Sequence, residues 1–187
     1  MKNSIKIIFL FFCLLNGSDS RDLEIKSFFK NLNNKTVNLE IQHSSNSYNA
    51  LLSINVDKIF FDTLDFDGMV SVFSEDTISS YNSNDNTIIL ESAEKNLLEF
   101  FNYKNFENAE LIKIDINDNY SLYHYGYLNN NLLIKFDSIK EQVFSISFTQ
   151  FDKILFDCFV GNVESFKNPL TSLKIDENWQ TIDWRTI

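Results

Sequence analysis

The sequence predicts an exported α+β domain, mainly antiparallel β. Three observations lead there: a basic, then apolar, then small-residue N-terminus; period-2 alternation through most of the chain; and two stretches at helical spacing.

The N-terminal signal comes first. Lys2 and Lys6 precede an apolar run from Ile7 to Leu15, which is far shorter than the roughly 20 residues that span a bilayer as a helix. Asn16, Gly17, Ser18, Asp19 and Ser20 follow, supplying the small and polar exit of a secretory signal peptide. Residues 1–20 are therefore expected to be removed, leaving one domain over 21–187 that begins at Arg21. A lipid-anchored alternative would modify Cys13, but the residue before it is Phe12, too bulky for that cleavage subsite. With the signal gone, Cys158 is the sole cysteine. No intrachain disulfide is then available, and the fold must rest on its hydrophobic core. Cys158 sits in a strand-like apolar run, Ile154 to Val160, where a buried, inert thiol is expected.

Composition excludes some partners. The net charge is −10, and the signal segment holds Lys2, Lys6 and Asp19, a net +1, so the remainder carries about −11. Such a chain is repelled by nucleic acid and by anionic lipid. Phenylalanine is abundant, with 19 residues, and Pro169 is the one proline.

The elements follow in order. Asp22 is a candidate N-cap for an amphipathic helix over 22–33, on which Leu23, Ile25, Phe28, Phe29 and Leu32 share one side. Alternation then begins with Val37, Leu39 and Ile41 and resumes with Leu52, Ile54 and Val56. Further strands are expected at 58–66, 69–73, 77–81 and 86–91, separated by the turn chemistry of Asp67–Gly68 and Asn82–Asp85. Ser92 can cap a second helix running to about Tyr103, with Leu97, Leu98, Phe100 and Phe101 as its apolar face. Strands return at 110–116, 120–128, 132–137, 142–150 and 153–162, with a hairpin loop at Asn129–Asn131. Sequential pairing of these strands makes a meander, open or curled into a partial barrel. The tail holds Trp179 and Trp184, which either cap the sheet edge or meet a partner.

Catalytic chemistry is hard to find. After residue 20 the histidines are His43 and His124, neither with a second ligand at zinc spacing. There is no nucleophile elbow, phosphate loop or dinucleotide fingerprint. Asp62, Asp65 and Asp67 read as a solvated face, and with Gly68 they are too few for a calcium loop. No enzyme activity, cofactor or metal is expected. Apolar surface is left to explain: a sheet with two amphipathic helices either packs a solid core or encloses a cavity, and composition alone does not separate the two.

The order of elements resembles the LolA-like family of periplasmic lipoprotein carriers. The resemblance rests on the helix at 22–32, then Val72–Asn82 (VFSEDTISSYN) and Asn86–Ile89 (NTII). Ser74, Glu75 and Asp76 stand near that family's Ser-Asp-Gly, Tyr81–Asn82 match its Tyr-Asn, and Asn86, Ile88 and Ile89 its Asn-x-Val segment. The resemblance implies an unclosed β-barrel, a curved sheet of about ten strands with helices covering its concave face. It further implies a monomeric carrier with acylated lipoproteins as cargo, received from an inner-membrane lipoprotein-releasing ABC transporter and passed to an outer-membrane acceptor. On that basis Phe28, Phe29, Leu32, Leu97, Leu98 and Phe101 would face an acyl cavity, with Leu52, Ile54, Phe144, Ile146 and Phe148 on the strands. Two departures stand out. A strand arginine that ties the lid shut in the family is missing; the corresponding region reads Lys58-Ile-Phe-Phe61, so either Lys58 substitutes or lid control differs. The family's glycine is Asp76 here. The alternative is an exported β-rich binding or envelope-structural module with a filled core and no lipid cargo.

Overall fold

The computed structural model describes residues 22–43, 46–65, 68–74, 76–93, 97–127, 130–150 and 153–185. The expected export signal and the expected start at Arg21 lie outside them.

Residues 22–31 form helix α1. Ile25, Phe29 and Leu32, spaced at i, i+4 and i+7, are its buried stripe. A meander follows: β1 (Lys35–His43), β2 (Asn46–Asn55), β3 (Lys58–Thr63), β4 (Met69–Ser74), β5 (Thr77–Asn82) and β6 (Thr87–Ser92). After a 3-10 turn at Leu97–Phe101 and the one-turn helix α2 (Tyr103–Phe106) comes a second meander. It comprises β7 (Glu110–Ile116), β8 (Tyr120–Tyr127), β9 (Asn130–Asp137), β10 (Gln142–Gln150) and β11 (Lys153–Ser165). Another 3-10 turn, Pro169–Ser172, leads to β12 (Gln180–Asp183).

These twelve strands belong to one sheet, ordered β12-β6-β5-β4-β3-β2-β1-β11-β10-β9-β8-β7. The two meanders meet where β1 pairs antiparallel with β11, and β12 and β7 remain as separate ends, so the curved sheet is an unclosed barrel. The expected sheet of about ten strands has twelve, the strand that the sequence did not announce being β12, which joins β6 in parallel. Register shifts at Val37/Leu39, Leu111/Lys113, Val143/Ser145 and Phe148/Thr149 lie in β1, β7 and β10. Such bulges add local twist and help a sheet curl. Gly68 takes φ +84°, and a Cβ there would fall 2.2 Å from the Ser83 hydroxyl, so this turn requires glycine.

Two expectations are corrected. Ser92 ends β6 rather than capping a helix, and the expected helix to Tyr103 resolves into the 3-10 turn and α2. Asn102 divides them: its backbone is extended (φ −77°, ψ 118°) and its side chain accepts from the Lys104 amide as the cap of α2. The expected strand at 58–66 stops at Thr63. Of the Asn129–Asn131 loop, Asn129 lies outside the described residues, and Asn130 and Asn131 already belong to β9.

The sheet has two differently covered faces. The concave face holds the main core, in which Val37, Leu39, Ile41, Ala50, Leu52, Ile54 and Ile59 meet the roof residues of α1, the 3-10 turn and α2. On the convex face the buried apolar cluster lies over β3 and β4. There Phe60, Val70 and Val72 are covered by Phe166, Leu170 and Leu173 of the C-terminal segment. That segment is pinned by the Lys167 amide donating to the Thr36 hydroxyl (2.8 Å), itself hydrogen-bonded to Ser53 (2.8 Å).

The phase of β10 is directly testable. Ile146→Ala should cost about 2–5 kcal/mol in denaturant unfolding, as an aliphatic side chain truncated in a packed core. Phe144→Ala, on the half-exposed convex side, should cost clearly less.

Candidate functional site

The candidate site is the concave face with its roof. Phe29 of α1 stacks on Phe106 of α2 with ring centroids 4.1 Å apart, and it lies 6.0 Å from Phe100 and 6.2 Å from Phe101. Phe100 stacks on Phe101 at 4.3 Å and on Phe148 of β10 at 5.9 Å. Phe106 meets Tyr125 of β8 edge-on at 5.1 Å. Roof and sheet are thus joined through a continuous set of aromatic contacts, at separations where such pairs attract beyond their buried area.

Most of the predicted residues converge here. Phe29, Leu32, Leu52, Ile54, Leu98, Phe101, Ile146 and Phe148 are buried in one cluster, and Phe28 packs half-buried against it. Leu97 starts the 3-10 turn, with its side chain outside the description. Phe144 is corrected. The register shift between Val143 and Ser145 inserts an extra residue, so Val143 takes the core-facing place. Phe144 lies on the convex side, edge-on to Phe159 at 5.3 Å and with the Lys135 ammonium 5.1 Å from its ring.

Sequence reasoning missed part of the interior. Tyr123, Tyr125 and Tyr127 are all buried on the concave face, and their Tyr-x-Tyr-x-Tyr alternation on β8 carried that signal. Phe106 was missed because α2 is a single turn, too short for any period to register.

Few polar contacts hold the roof among the described residues. The Tyr125 hydroxyl, from the sheet, donates to Asp22 Oδ1 at the start of α1 (2.7 Å), and Lys26 pairs with the other oxygen (2.8 Å). Burial first, and then the hydrogen bond to Asp22, push the Tyr125 phenol far above its ordinary range, so it remains a neutral donor. Asn33 Oδ1 accepts from the Val56 amide (3.0 Å), and Asn102 Nδ2 donates to the Val56 carbonyl (3.3 Å). Lys58 takes no part: it opens β3 on the convex side, so the side-chain tie between α1 and the sheet is Tyr125–Asp22.

At one end of the roof a cleft of about 650 Å³ opens between α1 and the sheet. Leu23, Phe28 and Leu32 form one wall, Phe136 and Val163 the other, with Glu141 at the rim. Leu23 at the mouth is 64% exposed, an apolar side chain with no cover.

Reactive groups are sparse. Cys158 is 1% exposed, and burial, followed by the Asp157 charge, pushes its thiol up to about 12. His124 sits on the convex side of β8, its Nε2 3.0 Å from Asp115 Oδ2. Asp115 is held below the usual carboxylate range, chiefly by its hydrogen bond from Lys113. Of the acidic trio, Asp62 is raised by burial, Asp65 accepts from the Asn49 amide, and Asp67 lies outside the described residues. Among the described residues no three His, Cys, Asp or Glu side chains gather as a metal site, and no helix is long and apolar enough to cross a membrane. The sheet edge is capped by the tail's backbone rather than by its tryptophan rings: β12 pairs with β6 and the Trp184 amide donates to the Leu90 carbonyl (2.8 Å), while the Trp184 side chain is exposed and Trp179 Nε1 donates to the Lys174 carbonyl (3.1 Å).

In comparisons with known proteins, no family model matches the chain, and no curated protein matches it. Solved structures do resemble it. An uncharacterized conserved protein from Thermus thermophilus is similar with a TM-score of 0.54 at 11% identity, over 88% of this chain and 99% of that one. A LolA superfamily protein from Nitrosomonas europaea is similar with a TM-score of 0.42 at 11% identity, over 76% of this chain and 90% of that one. At 11% identity, the Thermus likeness is one of fold alone.

Two outcomes follow for this site. Tyr125→Phe should lower stability by about 1–3 kcal/mol, as loss of a hydrogen bond to a charged group, read by urea unfolding. Cys158 should resist a thiol reagent at pH 8 and react fully once the protein unfolds. The folded thiol titrates near 12 against an ordinary 9.0. The stability linked to it is therefore intact below about pH 9 and is lost as pH climbs from there towards 12.

Proposed function

We propose that this protein is an exported carrier that shelters acyl chains of lipoproteins, or of lipids, under a movable roof on its concave face. Export into a space between two membranes makes the periplasm its place of work. An inner-membrane lipoprotein-releasing ABC transporter would supply the cargo and an outer-membrane acceptor receive it. The observation that carries the reading is how the roof is attached. Phe29, Phe100, Phe101 and Phe106 bury against the sheet, while among the described residues one side-chain pair, Tyr125–Asp22, ties α1 to a strand.

The magnitudes suit exchange. Burying a phenylalanine stabilises by about 1.5–3 kcal/mol, so the four together contribute about 6–12 kcal/mol. An acyl chain gains about 0.8 kcal/mol per methylene removed from water, or about 10 kcal/mol for a dozen. Cargo can therefore replace the contacts the roof gives up. Lifted phenylalanines then touch acyl chain rather than water, which lowers the cost further. The cleft beside Leu23, Phe28 and Val163 is an apolar opening from which such a displacement can begin. Phe28, Phe29, Leu32, Leu52, Ile54, Leu97, Leu98, Phe101, Ile146 and Phe148 are the residues we assign to acyl contact.

The second reading, a binding or structural module with a filled core, draws on the same phenylalanines, which occupy the concave face in this structure. Uptake separates the two. The purified protein should take up a fluorescent fatty acid saturably, and mass spectrometry should find lipid or lipoprotein copurifying after periplasmic expression. Tyr125→Phe should speed uptake by releasing α1. A lipid-free preparation that also ignores the probe would sink the carrier reading in favour of the module.

A further inference from the structure

The convex face carries a second cleft, of about 510 Å³, between β3–β5 and the 3-10 turn Pro169–Ser172. It lies on the side of the sheet away from the roof, so it is independent of the acyl reading. Its origin is in the register. Phe60 lies opposite Val72, and Val72 opposite Ser79, which makes one row across three strands; Ser74 opposite Thr77 continues the neighbouring row, at the Lys58 end of β3. The C-terminal segment covers the apolar row, leaving Phe60 and Val72 each 6% exposed, but it stops short of the polar one. The cleft is what this incomplete cover leaves.

Its lining is rich in donors. Among the described residues Lys58 makes no ion pair, and the hydroxyls of Ser74, Thr77, Ser79 and Tyr81 have no hydrogen-bond partner. Asn168 stands on the opposite wall; its Oδ1 is taken by the Leu170 amide (3.0 Å), which leaves its NH₂ as a donor. Phe60, Val72 and Leu170 form an apolar floor beside these groups. One carboxylate, Asp76, also lines the cleft and opposes any group with more than a single negative charge.

The geometry points to a binding site for a small amphipathic monoanion, a carboxylate with an apolar body, on the convex face. Lys58 takes the carboxylate, the neighbouring hydroxyls and the Asn168 amide complete its hydrogen bonds, and the apolar body rests on Phe60, Val72 and Leu170. The volume suits such a ligand, within the range of small-molecule sites.

N-acetyl-phenylalanine is the probe, titrated into the purified protein while backbone amide NMR shifts are followed. Saturable shifts should concentrate at 58–60, 72–81, 168 and 170. The uncharged N-acetyl-phenylalanine amide should bind about tenfold more weakly, as should the carboxylate to Lys58→Met, which keeps the apolar stem and removes the charge. Asp76→Asn should tighten binding by removing the opposing charge. Equal affinity for acid and amide, indifference to Lys58→Met, or shifts that never saturate would each overturn the assignment.

Discussion

The stack of Phe29 on Phe106, with centroids 4.1 Å apart, is the contact on which the concave face depends. It joins α1 to α2, two elements separated in the chain by the whole first meander. Neither is a stable helix alone: α1 is about three turns and α2 one, both below the length at which isolated helices persist in water. Each is held by burying its aromatic side chains on the sheet, and each supplies part of the surface the other buries. Phe100 extends the same contact to Phe148 of β10. Any process that opens the roof must first give up these ring contacts.

The sheet in turn is shaped by how its ends and bulges are managed. At one end, β12 covers β6, and the Gln180 and Trp184 amides donate to the Asn86 and Leu90 carbonyls. At the other, β7 is left as an edge, where the extra residue Ile112 lies over Gly126 and the Lys113–Asp115 pair lines the strand with charge. A bulge and inward or flanking charge both discourage a second chain from adding to such an edge. The barrel stays open, and its concave face can be roofed by helices rather than sealed by strands. The C-terminal segment reaches β12 only by crossing the convex face. That single path both covers Phe60 and Val72 and leaves the donor-lined cleft beside them.

Polar interactions play a selective part in this arrangement. Tyr125 is buried to its ring, yet its hydroxyl finds Asp22, so this polar tie across the roof costs the core no unsatisfied group. Because Asp22 is also paired with Lys26, it keeps a partner when α1 moves. The roof is thus held mainly by apolar ring contacts, with the Tyr125–Asp22 hydrogen bond fixing the start of α1 against β8.

Alternation and spacing by themselves marked the strands of both meanders, the α1 stripe of Ile25, Phe29 and Leu32, and the buried thiol of Cys158, whereas the inward assignment of Leu52, Ile54, Ile146 and Phe148 came from the family resemblance. The first three follow from local periods, which a sequence displays directly. The bulge at Val143/Ser145, which turns Phe144 outward, was illegible because an inserted residue changes the phase without changing the composition. The break at Asn102 was hidden in the same way, since a helix and two separate turns can carry the same apolar residues. Partners distant in the chain were decided only by tertiary structure: Tyr125 with Asp22, Phe29 with Phe106, β1 with β11, and β12 with β6. Such pairings depend on how the sheet curls and which ends meet, and no local period records that.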